Sequence, residues 1–397
     1  MKLKAELKYI LQIIRVYSPI SRKDVAKKCQ ISIPKATNLI NALEKAGIIA
    51  PLAGESSGGR IPQLLKIQDD LFFSAGIDIG SKYVRIGLFD MGGRMLAHSK
   101  QSHNIETPRE ITIDYLSKEI EVLSKKILVP YPKINTIGVG ITGIVQEKEG
   151  KCLSLRNTPA WRGLDICNQL QLATKIKSVY VLDSVKAMAF AEMRFGKGRE
   201  IQDFVVFNIG VGLGAGIIIG SELLSGERGT TGEVGHMHIR PSNELCVCGN
   251  YGCLEAIASG WALLRKCKKA IAEGVETSIG ESKDLANLSV DDIIESAHHG
   301  DKFAITMLEN MAKDLAVGIG SVINLLNPEK VILSGGVIRS AGNHLLEPLT
   351  RGVKSTVIPW LQKNIDISLS ELGEWDAALG AATFAADKAI KEIFFEE

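Results

Sequence analysis

The 397-residue sequence lacks any run of eighteen or more apolar residues, which excludes a transmembrane helix. The opening segment, MKLKAELKYILQIIRVY, is amphipathic, but no apolar core leads to a small-residue cleavage site, so it does not read as a secretory signal. Nor is there a disulfide framework. Of seven cysteines, Cys29, Cys152, Cys167 and Cys267 stand singly, and only Cys246, Cys248 and Cys253 crowd together. That spacing suits one metal site in a reducing compartment better than oxidised pairs, and a cytoplasmic location is expected. The chain as a whole also lacks a strong charge, at +2. This near-neutrality conceals an uneven distribution: residues 1–70 hold 12 Lys/Arg against 6 Asp/Glu, and the remainder holds 35 against 39. A basic head on a mildly acidic body fits a nucleic-acid-binding module joined to something else.

Hydrophobic spacing predicts three helices in that head. Leu3, Leu7, Ile10, Leu11, Ile14 and Tyr17 line one face of the first. Ser21 with Asp24 opens the second, which turns Val25 and Ala26 inward and ends near Cys29. Ser32 opens the third, with Pro34 in the first turn and Ala36, Leu39, Ile40, Leu43 and Ala46 as its inner face, and Gly47 stops it. Two short helices in tight sequence make a helix-turn-helix. Ile33, Lys35, Thr37, Asn38 and Asn41 fall on or near the outer face, where Asn and Thr can read base edges and Lys can hold phosphate or guanine. IIAPLAGESSGGRIPQLLKI then reads as two strands and a flexible tip, the wing of a winged helix, with Arg60 placed to enter a minor groove. The bland alternative is a three-helix protein-interaction domain, which charge, spacing and wing together disfavour. The expected partner is a double-stranded DNA operator.

From Leu71 the pattern becomes α/β. A meander over FFSAGIDIGSKYVRIGLFDMGGRMLAHS precedes a helix over 108–127 and the strand INTIGVGITGIV. VYVLDS runs into the helix VKAMAFAEMRFG, and the glycine-dense strand pair DFVVFNIGVGLGAGIIIG follows. Helices dominate 255–327, then comes the strand KVILSGGV and a last helix over 376–394. Domain limits are expected at 1–70, 71–184 and 185–397. Asp78 and Gly80, and Gly210, Gly212 and Gly214, mark turns where backbone amides can approach a phosphate, although such turns are more often plain hairpins.

The densest local signal is GEVGHMHIRPSNELCVCGNYGCLE, residues 232–255. Cys246, Cys248 and Cys253 plus His236 or His238 make a Cys3His donor set for tetrahedral zinc, and four protein ligands make the site structural. Reactive thiols are the competing reading. Glu233 and Glu255 flank the loop and can accept hydrogen bonds from sugar hydroxyls; their ordinary role would be surface or capping carboxylates.

With these residues identified, the chain resembles the ROK family of repressors, open reading frames and sugar kinases along nearly its whole length. GIDIGSKYVRIGLFD is similar to the family's first phosphate motif, and GEVGH followed by CVCGNYGCLE matches its zinc and sugar signature in residues and spacing. ILSGGV at 332–337, with Gly335 and Gly336, fits the adenosine side, and AALGAA at 377–382 fits the closing helix. The winged head places it with the repressor branch, whose members respond to sugars such as xylose, glucose or N-acetylglucosamine. The resemblance implies a two-lobed actin-like (ribonuclease H-like) sugar-kinase fold, a sugar or sugar-phosphate effector, and His236 rather than His238 as the zinc ligand. It also implies sugar contacts at Glu233, His236 and Glu255, and more loosely at Asn157 and Asp183.

The departures are as informative. Family kinases carry Glu-Asn-Asp at the end of a buried strand, the Asp being the general base. Here the register gives Leu182-Asp183-Ser184, so Ser184 stands at the base position, and Asp183 would act only after a one-residue shift. A serine hydroxyl does not accept a proton at neutral pH as a carboxylate does. Gly80-Ser81-Lys82 and Val211 erode the phosphate loops, so Asp78, Gly80, Gly210, Gly212, Gly214, Gly335 and Gly336 are read as a vestigial nucleotide site. A sugar-responsive repressor, a homodimer with a tetramer as the higher assembly, is therefore expected over an ATP/Mg2+-dependent kinase that kept a DNA-binding head.

Overall fold

A computed structural model of the chain describes residues 2–53, 63–102, 109–127, 134–155, 161–280, 284–363 and 365–395. The chain divides into two compact units: Met1–Glu200 with Glu227–Gly229 and Trp375–Glu397, and Ile201–Gly226 with Thr230–Glu374.

The first unit begins with the head. Helix α1 (Lys2–Tyr17) is followed by strand β1 (Ile20–Ser21), α2 (Arg22–Lys28), α3 (Ile33–Lys45), β2 (Ile49–Ala53) and β3 (Gln63–Ile67), with the strands ordered β1-β3-β2. Ser21 and Ser32 cap α2 and α3 by accepting from the amides of Asp24 and Lys35. Each cap satisfies one of the orphan N–H groups of a helix start. Ile10, Leu11, Ile14, Val25, Ala26, Ala36, Leu39, Ile40 and Leu43 are buried together with Leu65 and Ile67 of the wing. Two details differ from the sequence reading. Ala46 is exposed, because it is the C-cap where α3 already turns away from the core. Ser21 caps the second helix as expected, but with Ile20 it also adds a third strand to the wing by pairing with Leu64 and Leu65.

The head shares its core with the rest of this unit: Phe72 and Ile390 are buried in the same cluster, and Met91 packs against it. Strands β4 (Phe73–Ile79), β5 (Tyr83–Phe89) and β6 (Met95–Ser102) form an antiparallel meander. Helix α4 (Arg109–Lys126) leads to β7 (Ile134–Ile141). The segment expected as one strand breaks at Thr142, and β8 (Gly143–Gln146), β9 (Lys151–Leu155) and β10 (Leu164–Asp165) make a separate small sheet. Then come α5 (Ile166–Thr174), β11 (Ser178–Asp183) and α6 (Ser184–Phe195). The main sheet has order β11-β7-β4-β5-β6, parallel over its first three strands.

The second unit repeats that topology. Strands β12 (Phe204–Ile209), β13 (Leu213–Ile219) and β14 (Glu222–Leu223) are antiparallel. Helices α7 (Leu254–Ala258), α8 (Gly260–Ala272), α9 (Val290–His298) and α10 (Lys302–Leu326) precede β15 (Lys330–Ser334). Helices α11 (Gly336–Ala341), α12 (Asn343–Thr356) and α13 (Pro359–Gln362) lead to β16 (Asp366–Leu369). The order is β14-β13-β12-β15-β16, with β12, β15 and β16 parallel. Each unit thus carries a ribonuclease H-like sheet, and the duplication of that sheet defines the actin-like fold.

The last helix, α14 (Asp376–Phe395), returns to the first unit. It lies directly over β4 and β7 because Gly76 and Gly138, paired across those strands, leave no Cβ to meet the carbonyls of Ala378 and Ala381. The small residues of AALGAA serve this close approach. The first unit also extends past the expected boundary at 184, since α6 remains with it and the chain crosses only at residue 201.

Candidate functional site

Within the second unit, His236, Cys246, Cys248 and Cys253 bring their ligand atoms within 4.8 Å of one another. The chain achieves this through tight turns. Gly249 and Gly252 adopt φ of 91° and 75°, a region that favours glycine, and the Cys246 amide donates to the Asn250 carbonyl at 2.8 Å. Cys253 is the N-cap of α7, and the 3-10 turn Val234–His236 presents the imidazole. Cys248 and Cys253 sulfurs lie 3.7 Å apart, and Cys246 Sγ is 3.5 Å from His236 Nδ1. Zinc–sulfur and zinc–nitrogen bonds of about 2.3 and 2.05 Å at tetrahedral angles require edges of about 3.8 and 3.5 Å. The donor set therefore fits a tetrahedral ion. His238 is turned to the Tyr251 carbonyl at 2.9 Å and stands outside the cluster. The other nitrogen of His236, Nε2, lies 3.8 Å from Glu233 Oε2, beyond hydrogen-bond length.

Glu255, the second residue of α7, is buried and accepts from the Leu213 amide at 2.9 Å. This bond ties the cysteine loop to the start of β13, a link the sequence does not display. Beside it lies the second glycine turn. Gly210 and Val211 use their carbonyls to accept from the amides of Gly260 and Trp261 at the head of α8. Asn208 pairs with Ser334, so Gly210 and Gly335 follow at the same carboxyl edge of β12 and β15. Gly335 has φ of 107°, and Gly336 opens α11. In parallel α/β sheets this edge is where ligands bind. Gly212 and Gly214 occupy the turn and first residues of β13, with Gly214 opposite Asn208.

In the first unit, the strand-end positions are equally well defined. Asp183 is the N-cap of α6, accepting from the amides of Val185 and Lys186 at 2.8 and 3.3 Å. Ser184, the first helical residue, is buried, and its hydroxyl donates to Asp78 Oδ1 at 3.1 Å. Asp78 Oδ2 accepts from Arg85 at 3.1 Å. Burial pushes the Asp78 carboxyl up to about 6, against the opposing pull of Arg85 and with a further rise from Asp376. Gly80 closes the β4–β5 turn through its amide to Tyr83. On α3, Ile33, Lys35, Asn38 and Asn41 are exposed and Thr37 is half-buried. Lys35 pairs with Glu6 at 2.8 Å, and Asn41 accepts from Arg22 at 2.8 Å. Asn157 and Arg60 lie outside the described residues.

The family model described as ROK family matches residues 74–388, most of the chain. The chain belongs to the ROK family. A second model, winged helix-turn-helix DNA-binding, matches residues 8–50 and so accounts for the head that precedes the ROK body. The xylose repressor of Caldicellulosiruptor bescii is 30% identical over 372 residues, 94% of this chain and 92% of that one. Among solved structures, a ROK family transcriptional regulator, a homologue of the Escherichia coli MLC protein, superposes with a TM-score of 0.81, 26% identity and full coverage of both chains. A ROK family glucokinase from Streptomyces griseus, in complex with glucose and AMPPNP, matches 79% of this chain and 99% of its own, with TM-score 0.71 and 28% identity. The glucokinase match leaves about a fifth of this chain uncovered, and the regulator match covers all of it.

Proposed function

We propose that this ROK protein is a sugar-responsive transcriptional repressor of carbohydrate-utilisation genes. The carrying observation is the full-length likeness to a ROK regulator, winged head included, combined with a serine bonded to Asp78 where the kinases of the family place a base. Under this reading Ile33, Lys35, Thr37, Asn38 and Asn41 of α3, with Arg60 of the wing tip, meet an operator. Lys35 and Asn41 would then exchange Glu6 and Arg22 for DNA groups. A homodimer presenting two heads reads two half-sites, and the protein works in the cytoplasm.

His236, Cys246, Cys248 and Cys253 would hold a structural Zn2+. When bound, the ion fixes the loop shape and leaves no coordination position for an activated water. Glu233, His236 and Glu255 are the effector contacts assigned to this loop and its flanks, and Asn157 and Asp183 are the looser sugar-contact assignments. Asp183 holds the α6 amides, which supports a capping role for it. Phosphoryl transfer is not expected, because a serine hydroxyl is no base at neutral pH and that of Ser184 donates a hydrogen bond to Asp78.

The test uses full-length protein and a duplex selected from a random pool. D-xylose, D-glucose, N-acetyl-D-glucosamine and their 6-phosphates (5-phosphate for xylose) are screened by thermal shift, since a ligand bound only by the native state raises the melting temperature. The sugar that stabilises should also change DNA affinity. ATP turnover with any of the free sugars, lost on Asp183→Asn, would overturn the repressor-only reading in favour of a kinase that retains a DNA-binding head.

A further inference from the structure

Helix α6 is anchored at both ends to other parts of the first unit. Near its start, the Lys186 ammonium is buried, donating to Glu147 and to the Gly229 carbonyl, each at 2.7 Å. Gly229 belongs to the three-residue segment Glu227–Gly229 that the first unit takes from the chain of the second, four residues before Glu233. At its far end, Arg194 donates to Asp387 Oδ2 of α14 at 2.8 Å. The other oxygen of Asp387 pairs with Arg15 of α1, in the DNA-binding head. Just beyond α6, Arg199 donates to the Ser18 carbonyl, in the turn that leaves α1.

This junction is under-neutralised. Two buried guanidiniums share one buried carboxylate, and Nε and Nη1 of Arg194 have no hydrogen-bond partner among the described residues. Arg194 also lies 5.4 Å from the Phe190 ring. Burial pulls Arg194 down to about 10, and burial together with the Arg194 charge holds Arg15 well below its ordinary range. Burial and then the positive charges of Arg15, Lys388, Lys8 and Arg194 lower the Lys391 ammonium, so the junction is rich in cations. Each oxygen of the Asp387 carboxylate holds one guanidinium, so a displacement of α6 that moves Arg194 also disturbs the carboxylate that holds Arg15. The displacement has a rigid carrier. Helix α6 spans roughly 18 Å, 1.5 Å for each of its residues, and Gly380 of α14 packs directly on the Ala187 carbonyl.

We propose that Arg194 and Asp387 are positioning residues for the DNA-binding head, and that α6 conveys the state of the Lys186–Gly229 contact to the head through them. The part concerning sugar rests on the repressor reading above; the part concerning head position does not.

The experiment compares full-length wild type, Arg194→Met, Asp387→Asn and Arg194→Lys. Affinity for the selected duplex is measured by fluorescence anisotropy with and without the free sugar that most stabilises the wild type, and sugar affinity without DNA by calorimetry. Asp387→Asn is expected to change sugar-free DNA affinity about fivefold or more, with helix content and sugar affinity kept. In Arg194→Met the ratio of DNA affinities with and without sugar should fall to near one, and Arg194→Lys should recover part of it. If Arg194→Met does not fold, Arg194→Gln, which removes the charge but keeps a hydrogen-bond donor toward Asp387, reads the same ratio. Wild-type DNA affinity and a wild-type ratio in folded Arg194→Met and Asp387→Asn would overturn the inference while leaving the repressor reading intact. A wild type whose DNA affinity ignores every sugar would remove that reading and the conveyed signal with it. A changed DNA affinity in Asp387→Asn would then still support head positioning.

Discussion

Ser184 and Asp78 form a buried pair in the first unit. The hydroxyl donates to a carboxylate whose burial raises its pKa to about 6. The folded pKa exceeds the ordinary value of 3.8, so the native state binds the proton more tightly than the unfolded chain. Stability from this group is therefore greatest below the unfolded pKa and declines as pH rises toward 6. Wild type minus Asp78→Asn should lose about 2 kcal/mol of unfolding free energy between pH 4.5 and pH 8, at about 1.4 kcal/mol per unit. Urea unfolding at both pH values checks this, and a difference that grows with pH would contradict it. The metal cluster gives a second residue-scale prediction. Cys253→Ser should lose one equivalent of zinc, measured by atomic emission, together with the sugar-induced thermal shift. His238→Ala should retain both, because its imidazole faces the Tyr251 carbonyl.

At the scale of elements, close packing of α14 on the first sheet depends on Gly76 and Gly138. Gly138→Val would push side-chain carbons into the Ala381 carbonyl and lift the helix from β7. A loss of at least about 3 kcal/mol in chemical denaturation is expected, since overpacking and lost burial add. The same helix holds Asp387, so DNA affinity should fall with it. The helix starts of the head were legible in sequence, because Ser21 and Ser32 cap with amides three residues on. Strand β1 was not, because a two-residue strand has no periodicity and exists only where Leu64 and Leu65 of β3 come alongside. The break at Thr142 was hidden for a related reason: INTIGVGITGIV reads through as one β-prone stretch, and its division between two sheets is settled by partners.

For the whole molecule, the distribution of charge makes a prediction about association. The positive excess lies in the head, with 12 Lys/Arg against 6 Asp/Glu, while the remainder is net negative, so DNA affinity should fall linearly in a plot of log K against log salt concentration. Lys35→Ala should weaken binding and reduce that slope by about one, if the residue meets a phosphate, with sugar affinity unchanged. An unaltered slope would remove Lys35 from the phosphate contacts and leave Glu6 as its partner.

What the amino-acid sequence determined by itself is what depends on short spacing: the capped helices of the head, the α/β alternation, and the loop whose three cysteines and histidine lie within eighteen positions. Near neighbours along the chain have few ways to be arranged, so local pattern is close to sufficient. Only tertiary structure decided which groups already have partners. Asp183 spends its carboxylate on a helix cap, Glu255 reaches the Leu213 amide, and Lys35 and Asn41 lie against Glu6 and Arg22. It also decided that Arg15 and Arg194 converge on Asp387, near the far end of the chain. Such pairings carry no signal in spacing, because they arise when burial brings distant charged groups into a medium that cannot leave them unpaired.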